Sequence, residues 1–139
     1  MSRASGAKYG AWVLQGPPNL EAPPPHPDQV KLRLFCVPQA GCGAWPFHGW
    51  SKKLPAEVEM MPIELPGRNS RMMEPKQNDM RQLVEDLVTA LLPAFAEKPY
   101  ALLGHSLGAW IVYEIAKELE RRGGPPPPPP QGGGGRHSR

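Results

Sequence analysis

The sequence predicts an α/β fold in which parallel strands are joined by crossover helices and the sheet is incomplete. Three observations predict it. Apolar runs of strand length alternate with helix-length amphipathic stretches. Each run ends in turn-forming residues. All of them lie within residues 30–122, whose 8 Pro and 6 Gly are an ordinary globular share. A segment of that size suffices for one small domain. Three strands make a sheet smaller than the usual four to six.

The first strand is Lys31–Val37 (KLRLFCV), where Leu32, Leu34 and Cys36 alternate with Lys31, Arg33 and Phe35. Pro38 and Gly41 end it. A helix is expected from Ala44 to Lys53, with Trp45, Phe47, Trp50 and Leu54 as packing residues. The second strand is Val58–Leu65 (VEMMPIEL), stopped by Pro66-Gly67. Asp79 suits the N-cap of a helix running to about Phe95. Leu83, Leu87 and Leu91, with Val84 and Val88, form its apolar face, and Pro93 should bend or end it. The third strand is Tyr100–Leu103, ending at Gly104. The last helix runs from about Leu107 to Arg122, with Trp110, Ile111, Ile115 and Leu119 beside Val112 and Ala116 on its apolar side. Arg121-Arg122 followed by Gly123-Gly124 is a favourable stop. This alternation implies parallel strands and right-handed crossovers. The third strand is expected at an exposed edge.

Composition divides the chain further. Of its 139 residues 20 are Pro and 15 Gly, near the level that suggests disorder. Residues 1–29 hold 6 Pro and read as a Pro-rich N-terminal tail; residues 123–139 hold 6 Pro and 6 Gly and read as a low-complexity tail. The net charge is +3, but residues 30–122 carry 12 Lys/Arg against 11 Asp/Glu, which excludes the basic footprint of a nucleic-acid binder. Cys36 and Cys42 with the scattered His26, His48, His105 and His137 show no metal-ligand spacing. The two cysteines read as reduced thiols. No cofactor is expected. No apolar run approaches the roughly 18–20 residues of a membrane span, and the N-terminus lacks the continuous apolar core of a secretory signal. The expected location is cytoplasmic, with an organellar leader left open.

Gly104-His105-Ser106-Leu107-Gly108 is a G-x-S-x-G sequence. Its context carries the weight, because an apolar strand runs into it and an amphipathic helix leaves it. Without Cβ atoms at Gly104 and Gly108, strand and helix can close tightly around Ser106. The serine hydroxyl then projects at a helix N-terminus, where the Leu107 N–H can stabilise the negative charge of an acyl intermediate. A plain strand-to-helix turn with a serine N-cap is the bland alternative. His105 precedes the serine in a tight turn, so it is read as a packing or hydrogen-bonding residue rather than a base. After the first strand comes Pro38-Gln39-Ala40-Gly41-Cys42-Gly43, a loop whose small residues let backbone approach a ligand. Ala40 is the candidate second oxyanion donor, beside the alternative of a glycine-rich turn with no such task.

The run LFCVPQAGCGAWPFHGW resembles the first strand and oxyanion loop of the type II thioesterases, the stand-alone hydrolases that serve polyketide, nonribosomal-peptide and fatty-acid synthases. VEMMPIELPGRNSRMMEP is similar to their next strand and its loop, here Pro66-Gly67-Arg68, and GHSLGA to their elbow. The resemblance extends from about Leu32 to Arg122 and implies the N-terminal part of an α/β-hydrolase. It implies hydrolysis of acyl thioesters carried on CoA or on carrier-protein phosphopantetheine. It implies Ser106 as nucleophile, with the Leu107 and Ala40 N–H groups as oxyanion donors. Cys42 stands where the family often has glycine.

In the family the catalytic Asp, the catalytic His and the lid all follow the elbow helix. Here the likeness stops near Arg122. His137 sits in a low-complexity tail, and Asp79 and Asp86 sit on an earlier helix, so no residue matches the acid or the base. The resulting expectation is a truncated thioesterase, weakly active or inactive alone. A non-catalytic fragment whose Pro-rich tails bind SH3-like or WW-like grooves is the alternative from another class. An acyltransferase with a similar elbow is a third reading, and Pro66-Gly67-Arg68 favours the thioesterase over it.

Overall fold

A computed structural model describes residues 9–14 and 19–128. The expectations for His137 and for residues 129–139 of the C-terminal tail lie outside the described residues.

Three strands form a parallel sheet in which β1 (Leu32–Val37) lies between β2 (Val58–Pro62) and β3 (Tyr100–Gly104). Leu34 is in register with Met60 on one side and Ala101 on the other, and Val37 with Gly104. Two helices follow, α1 (Met80–Glu97) before β3 and α2 (Leu107–Arg121) after it. Alternation along the strands sorts side chains onto two faces. Phe35, Val37, Met61 and Tyr100 join Leu87, Val88, Leu91 and Phe95 of α1 and Ile111, Ile115 and Leu119 of α2 in the main core. The opposite face carries a smaller cluster of Cys36, Ala44 and Phe47, with Leu34, Met60, Leu103 and Leu14 only partly covered. Both helices therefore cover one face, and β3 is an edge strand among the described residues, as expected.

The helix ends follow from local chemistry. Asp79 Oδ1 accepts from the N–H groups of Arg81 and Gln82 and caps α1. Gly123, at φ 70°, closes α2: its N–H donates to Glu120 O, and the Gly124 N–H to Leu119 O. Those are the two bonds of a Schellman stop.

Four expectations are corrected. The helix expected from Ala44 to Lys53 is two short 3₁₀ turns, Trp45–Phe47 and Trp50–Lys53. Pro46 offers no N–H, His48 is extended, and Gly49 turns left-handed at φ 81°, so no α-helical ladder can run through. The first crossover thus has no α-helix. Second, α1 does not end at Pro93, one of the two effects expected there, and runs two residues beyond the expected Phe95. It continues to Glu97 because Leu91, Ala94 and Phe95 are buried on both sides of the proline. Burying such side chains offsets the roughly 3 kcal/mol that an internal proline costs. Third, β2 stops at Pro62 rather than Leu65. Fourth, residues 9–14, read from composition as tail, pack on the fold. Tyr9 and Val13 are buried, and Val13 bridges Ile63 antiparallel. The Leu14 N–H donates to Pro62 O, and the Glu64 N–H to Trp12 O, covering the outer edge of β2.

Candidate active site

The three residues singled out from the sequence lie at the carboxyl ends of neighbouring parallel strands, where ligands of open α/β sheets bind. Ser106 and Leu107 follow β3, and Ala40 follows β1.

At the β3 exit the backbone turns sharply. Ser106 adopts φ 56° and ψ −117°, a region that side-chain-bearing residues rarely occupy. The packing around it explains how it is held. A Cβ on Gly104 would collide with the Gly108 carbonyl, and a Cβ on Gly108 would fall 2.7 Å from Pro38 O and closer still to Val37 O. Strand exit, helix start and the end of β1 therefore touch backbone to backbone. The His105 N–H donates to Val37 O at 3.1 Å and pins the turn to β1. The His105 ring itself is exposed, so the backbone, not the side chain, makes the contact assigned to this residue from sequence. Ser106 is exposed, and its hydroxyl makes no capping bond. A serine N-cap has extended backbone and accepts from the second or third helical N–H. Ser106 does neither, so its hydroxyl is not spent on capping α2. Leu107 is the first residue of α2, so its N–H has no intrahelical acceptor and lies at the positive end of the helix dipole.

After β1, residues 39–42 form a turn. The Cys42 N–H donates to Gln39 O at 3.3 Å, with Gly41 at φ 77° in the third position. Ala40 is exposed at the second position, and its N–H stays outside the turn bond. Gln39 Nε2 donates to Cys42 Sγ at 3.3 Å, so the half-buried thiol steadies the turn. Cys36 behind it is fully buried, and desolvation pushes its thiol up to about 12.

Sequence reasoning passed over Glu64. This carboxylate is wholly buried at the end of β2. Its Oε1 accepts the Ala44 N–H at 2.9 Å, and its Oε2 accepts Asn69 Nδ2 and Ser70 Oγ, each at 3.0 Å. Arg71, also buried, donates to Glu64 O and pairs bidentately with Glu74. Its guanidinium lies 4.2 Å from the Trp12 ring centre. Pro66-Gly67 turns the chain between these residues, with Gly67 at φ 77° and the Arg68 N–H donating to Leu65 O. The signal was present in sequence as one acid inside the apolar run Ile63-Glu64-Leu65.

Among the described residues no acid or base is hydrogen-bonded to the Ser106 side chain. Asp79 caps α1 and Asp86 accepts from Gln82 on the same helix. His26 bonds Asp28, and His48 lies 3.2 Å from Glu21. Two clefts, of about 470 and 780 Å³, open elsewhere, and Ser106 lines neither. Among the described residues no His/Cys/Asp/Glu group could hold a metal ion, and no helix is long and apolar enough to cross a membrane.

Known proteins share the sequence pattern and the fold of this chain. The sequence pattern of the thioesterase domain matches residues 32–127. The gramicidin S biosynthesis protein GrsT of Aneurinibacillus migulanus is 42% identical over 93 residues, 67% of this chain and 36% of GrsT. The human medium-chain S-acyl fatty acid synthase thioesterase is 38% identical over 92 residues, 66% of this chain and 35% of that enzyme. The chain thus spans little more than a third of the length of these relatives. Among solved structures, the thioesterase RedJ from the prodiginine pathway of Streptomyces coelicolor superposes with TM-score 0.70 at 43% identity, over 76% of this chain and 40% of RedJ.

Proposed function

The chain belongs to the thioesterase family, with the partial α/β-hydrolase fold that this entails, and on that premise we propose that Ser106 is its nucleophile toward acyl thioesters. The substrates are acyl groups on carrier-protein phosphopantetheine or on CoA, in fatty-acid or polyketide-type metabolism. The single observation that carries the reading is the backbone of Ser106. A non-glycine residue held at φ 56°, with its hydroxyl exposed and uncommitted to capping, is strain without structural return.

In this reading Oγ attacks the thioester carbonyl carbon. The developing oxyanion is held by the Leu107 and Ala40 N–H groups. The intermediate collapses to an acyl-serine, expelling the thiol, and water then releases the acid. Serine is a poor nucleophile without a neighbouring base, and the described residues supply none. Turnover by these residues is therefore slow, at the level that binding and oxyanion stabilisation alone sustain, about 10³–10⁴ over water in reference systems.

The test is labelling with a fluorophosphonate probe alongside hydrolysis of acyl-CoA and acyl-pantetheine. Labelling and slow hydrolysis that both vanish in Ser106→Ala are expected. Folded wild-type chain that stays unlabelled would sink the reading and favour a non-catalytic, partner-binding role.

A further inference from the structure

We infer that Glu64 is the positioning residue of the oxyanion loop, the group that sets where the Ala40 N–H stands relative to Ser106. The inference rests on the reading of Ala40 and Ser106 given above.

The loop after β1 is held at its start by backbone, since Val37 O accepts the His105 N–H and the Gly108 backbone packs on Val37 and Pro38. Its far end has no sheet partner. There the Ala44 N–H donates to Glu64 Oε1 at 2.9 Å, and a Cβ on Gly43 would collide with that same oxygen and with Asn69 Cβ. The chain thus runs directly against the carboxylate. Glu64 in turn is fixed on the other side by Asn69 Nδ2 and Ser70 Oγ. A buried carboxylate is expensive unless its oxygens are matched by donors. The three donors come from two different loops, so the charge locks residues 43–44 to residues 69–70. No apolar side chain of equal size could do this, because it would leave the Ala44 N–H without an acceptor. Both loops lie at the carboxyl ends of β1 and β2, the same rim as Ser106.

The separating variants alter polarity rather than size. Glu64→Gln keeps an oxygen for the Ala44 N–H but turns an NH₂ toward the donors of Asn69 and Ser70. Adding Asn69→Asp restores a donor–acceptor match, and Asp tolerates the left-handed backbone at φ 41°. We would measure fluorophosphonate labelling of Ser106, amide exchange at residues 40–44, and melting temperature.

In Glu64→Gln the maximal labelling rate should fall about 10–100-fold with the probe's half-saturation unchanged, the loss expected from misplacing a group by a fraction of an ångström to 1 Å. The clash of the new NH₂ with Asn69 and Ser70 displaces the substituted side chain, so the Ala44 bond should weaken and its exchange rise about tenfold or more. The double variant should recover both. A merely structural glutamate would lower the melting temperature and raise exchange at Ala44, but leave the labelling rate near wild type well below it. That result, or a double variant that melts like wild type without recovering, overturns the inference. If Glu64→Gln does not fold, Ser70→Ala removes one of the donors to Glu64 Oε2, leaves the backbone at φ 41° untouched and gives the same comparison. If wild-type Ser106 is not labelled, the nucleophile reading fails, and exchange at Cys42, whose bond to Gln39 O lies within the loop, decides whether Glu64 orders it.

Discussion

Replacing Ser106 by glycine should make this protein more stable than its wild type, while Ser106→Ala should not. At φ 56° and ψ −117° a Cβ strains the backbone, and glycine carries none. Strain of this class costs about 1–3 kcal/mol. Glycine returns about 0.5–1 kcal/mol of that through the greater freedom of the unfolded chain. The balance is about 0–2.5 kcal/mol in favour of Ser106→Gly. Ser106→Ala keeps the Cβ and loses only an exposed, non-capping hydroxyl, so it should stay within about 0.5 kcal/mol of wild type. Thermal unfolding followed by circular dichroism resolves these differences, since 1 kcal/mol moves the melting temperature of a domain this size by about 4–8 °C. Comparison with wild type is decisive. If Ser106 were an ordinary N-cap, alanine would cost about 1 kcal/mol and glycine a few tenths, and both variants would fall below wild type. A Ser106→Gly protein that melts below wild type would therefore refute the strain argument, and with it the main support for the nucleophile.

Gly108→Ala should destabilise by about 1–3 kcal/mol, because its Cβ meets the Val37 and Pro38 carbonyls and forces α2 off β1; overpacking of this kind outweighs the roughly 1 kcal/mol of helix propensity gained. A urea midpoint unchanged from wild type would contradict it. Val13→Ala should cost about 2 kcal/mol by emptying a buried site where the N-terminal segment meets Ile63, and a neutral result would mean that residues 9–14 are not part of the folded unit. Of the two thiols, only Cys42 should react with a disulfide reagent near neutral pH, and Cys36 only after denaturation, since burial holds its thiol protonated up to about 12. Glu118 is held down from 4.5 to about 2 by hydrogen bonds from Arg121 and Arg122. Its folded value lies below its unfolded one, so its contribution is complete above the unfolded value and is lost as pH falls toward 2. The gap in melting temperature between wild type and Glu118→Gln should accordingly be open at neutral pH and close in acid.

Most of the fold was legible because its signals are local. Apolar runs of four to eight residues marked β1, β2 and β3 within a few residues, and Asp79 and Gly123 marked helix ends through bonds to their own neighbours. The errors came where tertiary packing outweighs local preference. Pro93 argued for a helix end, but Leu91, Ala94 and Phe95 are all buried against the sheet, and their burial carries the helix past it. Trp45, Phe47 and Trp50 suggested an amphipathic helix, but Pro46 and Gly49 between them were the stronger local signal. Composition placed residues 9–14 in a tail, because a count of prolines does not register that Tyr9 and Val13 have a core to enter.

The sequence by itself determined the chemistry on offer: a serine between two glycines at a strand–helix junction, a small-residue loop after the first strand, and no metal-ligand or cofactor motif. These are covalent facts about residue type and spacing. Only the tertiary structure decided that Ser106 is strained rather than capping, because its φ is imposed by Gly104, Gly108 and Val37, which meet only when β1 and β3 pair. Only the structure showed that Glu64 clamps one loop to another. A carboxylate can be wholly buried when three donors converge on it, and here they come from positions 44, 69 and 70, a convergence that exists only after the strands have brought their ends together.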